Sequence, residues 1–165
     1  MEAILEDLIA IISQEIEAFN QLLKTLHEKQ RAIVEGEIEK LNSTVQDENQ
    51  LAKETKSLEA LRIERSQELA LQLEMDNLNP KLSEIIAKVE NKYAQRLQEQ
   101  RDLLRSLVEK IQVLNQSNQF LLDYSLNFIE KSMELLLTAN DKRNIYQRDG
   151  KILKGQKNIV VDQCM

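Results

Sequence analysis

Apolar residues return along the first third of the chain at alternating steps of three and four. Leu5, Leu8, Ile12, Ile16, Phe19, Leu23, Leu26 and Ile33 follow this rule, with Gln30 filling one slot. A mean step of about 3.5 residues is the spacing of a coiled-coil seam rather than of a broad globular face. Ile4, Ile9, Ile11 and Leu22 widen the stripe, so this first helix, predicted over about residues 2–34, meets more than one neighbour. Gly36 follows, and as a C-cap it ends the helix. Val34, Ile38, Leu41 and Val45 nonetheless keep one phase across it, so a continuous helix is the competing reading.

The second segment, about 37–75, is more polar. Ile38, Leu41, Val45, Leu51, Leu58, Leu61 and Leu69 form a seam with gaps at Glu48, Thr55 and Arg65, which predicts a helix supported on one side. Asp76-Asn77-Leu78-Asn79-Pro80 is a connection. Asn79 is placed to cap the next helix, and Pro80 suits its first turn, where a missing N–H costs least. The third segment is expected over about 80–139, with a seam of Leu82, Ile86, Val89, Tyr93, Leu97, Leu104, Leu107, Ile111, Leu114, Leu121 or Leu122, Ile129, Met133 and Leu136. Unbroken, it spans about 60 residues and roughly 90 Å. The register slips at Asn115-Gln116-Ser117-Asn118, which predicts a local break, a buried Asn that fixes register, or part of a recognition groove. The stretch from Phe120 to Leu137 is the most apolar in the chain, and it reads either as core or as cover for a partner helix or the tail.

Residues 140–165 differ in kind. They hold Gly150 and Gly155, six Lys/Arg against three Asp, and short apolar clusters at Ile145-Tyr146, Ile152-Leu153 and Ile159-Val160-Val161. The expected organisation is a helical body over 1–139 and a flexible tail over 140–165. The predicted core includes Leu8, Ile12, Phe19, Leu23, Ile86, Val89, Leu107, Ile111 and Leu114.

Composition sharpens the fold class. Among 165 residues there is one Pro and there are three Gly, with neither between Glu37 and Asn79 nor between Lys81 and Asp149. A β-sandwich or barrel needs turn residues far more often, and a nucleotide-binding α/β fold needs a Gly-rich loop. The fold class is therefore all-α: an elongated antiparallel bundle of three or four long helices with coiled-coil-like packing. No run approaches the 18 or so apolar residues of a membrane span. The acidic start, Met1-Glu2-Ala3, lacks the basic region of a secretory signal, and a single cysteine makes no internal disulfide, so a cytoplasmic location is expected.

Charge and chemistry narrow the function. A net charge of −6 argues against general nucleic-acid binding. Residues 1–80 carry 8 Lys/Arg against 17 Asp/Glu, and residues 81–165 carry 14 against 11. That asymmetry fits oppositely charged helices packed side by side, or a basic C-terminal part that meets an acidic partner. His27 is the single histidine, and Cys164 has no histidine near it in sequence. No Glu-x-x-His pair or other ligand spacing occurs, so neither catalysis nor a cofactor or metal is expected.

Four stretches resemble one family. Leu114-Asn115-Gln116-Ser117-Asn118-Gln119-Phe120-Leu121-Leu122 is similar to the "LNxxNxxLL" helix of the FlgN family of bacterial flagellar export chaperones. Ile145-Tyr146-Gln147-Arg148-Asp149-Gly150 resembles that family's "LYxxDG" element, and Gly155-Gln156-Lys157-Asn158-Ile159 its Gly-Lys-rich patch with a short hydrophobic end. Residues 32–41 resemble its "ALxxGDxxxL" link, with Glu37 where Asp is common. The resemblance runs the length of the chain in order.

It implies a cytoplasmic chaperone that holds hook–filament junction proteins of the FlgK and FlgL types. Such a chaperone prevents their premature assembly and delivers them to the flagellar type III export gate. The partner-binding residues expected are Asn115, Asn118, Phe120, Leu122, Ile145, Tyr146, Gly150, Ile152, Leu153, Ile159, Val160 and Val161. The expected partners are the junction proteins and the gate's cytoplasmic domain, with the chain a monomer or weak homodimer, not inserted in a membrane. The competing readings are a structural coiled-coil tether and another small helical flagellar export chaperone, of the filament-cap type.

Overall fold

Among the described residues, four helices account for most of the backbone: α1 (Glu2–Glu35), α2 (Ile38–Gln72), α3 (Leu82–Ile86) and α4 (Asn91–Arg143). The structure is a computed structural model that describes residues 1–143, with side chains described through residue 138. No strand occurs among the described residues. The chain divides into two compact units, residues 1–122 and 123–165, with α4 contributing to both.

Gly36 ends α1. It sits at φ 71°, ψ 25°, a left-handed conformation that glycine adopts without a Cβ penalty. Its N–H and that of Glu37 both reach the Ala32 carbonyl, the Glu37 bond at 2.9 Å. Val34 and Ile38, which keep phase across the turn, are both exposed, so their shared spacing builds no common seam. α2 ends in a similar way without the glycine: Glu74 takes φ 50°, and the Met75 N–H reaches the Ala70 carbonyl at 2.9 Å.

The connection after α2 departs from the expected one. Asn79 does not cap the next helix; its Oδ1 accepts from Gln67 Nε2, and its N–H donates to Asn77 Oδ1 at 3.0 Å. Lys81 takes the cap position without a side-chain bond, and Pro80 lies outside the first turn. The third predicted helix is interrupted at 87–90, not at 115–118. A short α3 places Ile85 in the core, and the chain turns and restarts at Asn91 so that Tyr93 and Leu97 join the same cluster.

Within residues 1–122, cross-links between helices define direction. Asp7 pairs with Arg65 at 2.7 Å and Lys29 with Glu48 at 2.7 Å, so α2 runs antiparallel to α1. Arg96 pairs with Glu6 at 2.8 Å, and Asn118 Nδ2 donates to the Leu26 carbonyl at 2.9 Å, so α4 runs parallel to α1. The result is an up-down-up arrangement of three long helices. Two of the three seam gaps of α2, Glu48 and Arg65, are interhelical ion-pair positions, and the third, Thr55, bonds its own helix at the Ala52 carbonyl.

The core lies in two clusters. One joins Leu5, Leu8, Ile9, Ile12, Leu69, Ile85, Tyr93 and Leu97; the other joins Leu22, Leu26, Leu51, Ile111 and Leu114. Each fully buried leucine or isoleucine contributes about 1.5–3 kcal/mol. Leu8, Ile12, Leu107, Ile111 and Leu114 are buried as predicted, whereas Phe19, Leu23, Ile86 and Val89 are half-buried at the cluster edges.

Glu15 is an acid in the interior of this unit. It is 2% exposed, and Arg62 Nε donates to its Oε1 at 3.1 Å and lies 2.9 Å from its Oε2. Burial raises the Glu15 pKa above the ordinary 4.5, and Arg62 opposes that rise only in part.

Candidate functional site

Two stretches of α4 carry the residues singled out in the sequence. The first, in unit 1, is Asn115–Leu122. The helix passes through it unbroken. Asn115 is exposed, but Asn118 is buried against α1, where its amide holds the Leu26 carbonyl and its Oδ1 accepts no hydrogen bond. Gln30 Nε2 donates to Ser117 Oγ at 3.1 Å beside it. Of the two asparagines, only Asn115 has an exposed side chain; Asn118 ties α4 to α1. Next to this pair runs an open groove of about 520 Å3, lined by Leu23 and His27 of α1 and by Lys110, Val113, Leu114 and Ser117 of α4. Phe120 is 70% exposed, and Leu122 is half-buried.

The second stretch, in unit 2, is more apolar and more open. Tyr124, Leu126, Phe128, Ile129, Met133, Leu135, Leu136 and Leu137 are each between 54% and 71% exposed. Exposed apolar side chains this dense make the stretch a candidate interaction surface. The residues fall on two seams of the helix. Leu126, Ile129, Met133 and Leu136 repeat at three and four, and Tyr124, Phe128 and Leu135 form a second stripe. Asp123, Asn127, Glu130 and Glu134 make a narrow polar strip between them. The small polar side chains turn inward to their own backbone: Asn127 Nδ2 donates to the Asp123 carbonyl and Ser132 Oγ to the Phe128 carbonyl, each at 2.8 Å. The expectation that 120–137 is either core or cover is thereby divided. It is not core.

Ile145, Tyr146, Gly150, Ile152, Leu153, Ile159, Val160 and Val161 lie outside the described residues. Among the described residues no group of three or more His, Cys, Asp or Glu is placed to hold a metal ion. No described helix is long and apolar enough to cross a membrane.

What the sequence does not foretell is Glu15 in the interior and the side chains that pair with the α4 register, Gln100 above all. Its Nε2 donates to the Ile9 carbonyl at 3.1 Å and to Ser13 Oγ at 2.7 Å. Gln100 fills the slot of the α4 seam between Leu97 and Leu104, and a polar residue in that slot is the signal the sequence offers.

Comparison with known families gives one match: the FlgN protein family, over residues 1–154. Neither a curated protein nor a solved structure matches the chain.

Proposed function

The chain belongs to the FlgN family of flagellar export chaperones, and on that premise we propose that it captures hook–filament junction proteins in the cytoplasm and delivers them to the flagellar type III export gate. The exposed apolar surface of α4 between Tyr124 and Leu137 carries this reading. Junction proteins polymerise through long apolar helices, and a chaperone must cover those helices without catalysis. An unpartnered helix with two apolar seams receives an amphipathic helix at i, i+3, i+4 anchors. In this reading Asn115, Phe120 and Leu122 of unit 1 also contact the client. In the tail, Ile152-Leu153 and Ile159-Val160-Val161 hold the client, while Tyr146, between Ile145 and Asp149-Gly150 in sequence, docks on the gate.

Calorimetry with a purified junction protein tests the client surface. Leu126→Asp with Phe128→Asp is expected to weaken binding at least about tenfold, the effect of removing apolar anchors worth ~1.4 kcal/mol or more. Melting temperature should stay unchanged, because both side chains are already in solvent. Glu59→Ala is the neutral control. Unchanged affinity in the double variant defeats the assignment. Equal or tighter binding of a filament-cap protein by the parent chain moves the client to the cap class. Tyr146→Ala is expected to abolish binding to the gate's cytoplasmic domain while client affinity and helix content persist.

A further inference from the structure

We propose that the groove between α1 and α4 in unit 1 is a docking site for an acidic amphipathic helix of another protein, which completes a four-helix bundle there. The site shares no residue with the surface at 124–137 and holds whether or not clients bind there.

The groove is an open side of the bundle. Leu23 of α1 and Leu114 of α4 form its floor, and among the described residues none of its lining comes from α2. Two ties hold the helices around it: Gln100 of α4 bonds Ile9 and Ser13 of α1, and Gln30 of α1 bonds Ser117 of α4. From Ser106 to Ser117 the lining runs about 16 Å along α4, the length of three helical turns. α4 also carries a second seam here. Leu103, Ser106, Lys110, Val113, Ser117 and Phe120 step by three and four beside the buried seam of Leu107, Ile111, Leu114 and Asn118. Leu103, Val113 and Phe120 are exposed, and the small Ser106 and Ser117 between them leave room for an incoming helix with anchors at i, i+3, i+4 and i+7.

Charge chooses the occupant. Lys24 and Arg31 stand on the α1 lip, three residues before His27 and four after it, and Lys110 stands on the α4 lip. The acids nearby are already taken: Glu28 by Lys40 and Glu109 by Arg105, each at 3.0 Å. Arg31 lies 3.7 Å from Glu35. Lys24 and Lys110 have no ion-pair partner among the described residues. Unpaired ammonium groups on both lips of an apolar groove attract carboxylates that flank an apolar stripe, and they repel a basic helix. A second copy of the chain is the poorer occupant, because two molecules of net charge −6 repel one another.

Two synthetic peptides that differ only in charge test this on the full chain. Both are amphipathic helices of four turns with leucines at i, i+3, i+7 and i+10; one has Glu at the flanking positions, the other Lys. In calorimetry the Glu peptide is expected to bind at least about tenfold tighter than the Lys peptide. Its binding should shift the backbone amide signals of 20–31 and 103–120. Lys24→Glu with Lys110→Glu should reverse the preference between the peptides. Val113→Asp should weaken the Glu peptide at least about tenfold. Melting temperatures should stay unchanged, because all three side chains are exposed. No binding of the Glu peptide, equal binding of both peptides, or shifts that leave 20–31 and 103–120 unmoved each overturn the docking site. Shifts confined to 123–138 do so without touching the client-surface reading. Movement of the 20–31 and 103–120 signals on dilution without peptide also overturns it, by making a second copy the occupant.

Discussion

Two stretches of one helix obey the same spacing rule and meet opposite fates. In unit 1, α4 places Leu107, Ile111, Leu114 and Asn118 at steps of three and four, and all four are buried. In unit 2, Leu126, Ile129, Met133 and Leu136 keep the rule and stand in solvent. The first stretch packs on α1 and α2 within its own unit; the side chains of the second are exposed. Heptad spacing specifies a face that will accept a helix. It does not say whether the chain supplies that helix.

The largest test of this contrast is a matched pair of leucine truncations. Leu97 is fully buried in the first cluster, and Leu136 is 70% exposed. Leu97→Ala is expected to cost about 2–5 kcal/mol, from lost transfer energy plus the cavity left behind. Leu136→Ala should change stability by less than about 0.5 kcal/mol, the ordinary range for a surface position. Chemical denaturation of the two variants reads both. A comparable loss at Leu136 would mean that the exposed seam is packed in solution, and the contrast between the stretches would fail.

Much of the fold is written in these spacings. Long Gly- and Pro-free segments dictate helices, and Gly36 marks the first hairpin because a left-handed cap is cheapest for a residue with no Cβ. The break at 87–90 is not legible. Leu82, Ile86 and Val89 hold helical phase with Tyr93, and only the need to bring Ile85, Tyr93 and Leu97 into one cluster decides for a turn. Asn79 misleads for a similar reason: the helix starts two residues later, with Lys81 at its cap, and the Asn79 oxygen accepts from Gln67 of α2 instead. The candidate site is visible in sequence as unusual apolar density at 120–137. Its exposure is not, since density alone fits a core equally well. Asn118 shows the converse, a polar residue in a recognition-like motif that tertiary packing turns into an anchor.

Asparagines on the two stretches give a second, smaller contrast. Asn118 is 1% exposed and holds the Leu26 carbonyl; Asn127 is exposed and bonds its own helix. Asn118→Ala is expected to cost about 1–2 kcal/mol, since a hydrogen bond and packing volume are lost together. Asn127→Ala should be neutral within about 0.5 kcal/mol. Asn118→Leu sharpens the reading. It removes an Oδ1 that accepts no hydrogen bond and refills the space, so most of the stability should return. If the role of Asn118 is register, hydrogen exchange along α4 should still quicken in Asn118→Leu. Exchange as slow as in the parent would leave the residue with no positioning role.

The smallest effect concerns acids. Glu15 is nearly inaccessible, whereas Glu130 lies on the exposed strip of α4. Burial raises the Glu15 pKa above 4.5. The folded chain therefore holds its proton more tightly than the unfolded chain does. Linkage fixes the sign: between the unfolded value and the raised folded value the folded state binds more protons, so the contribution of Glu15 to stability falls as pH rises through that window. Glu15→Gln keeps the shape and removes the titration. Arg62 is not stranded by the change, because its side chain is 25% exposed and Glu59 lies 3.7 Å from its guanidinium. Stability measured against pH should therefore move in favour of Glu15→Gln as pH is raised from below 4.5 to neutrality. A variant that loses ground toward neutral pH would show that the Arg62 pair outweighs the cost of burial, and that α1 and α2 are joined there by net attraction.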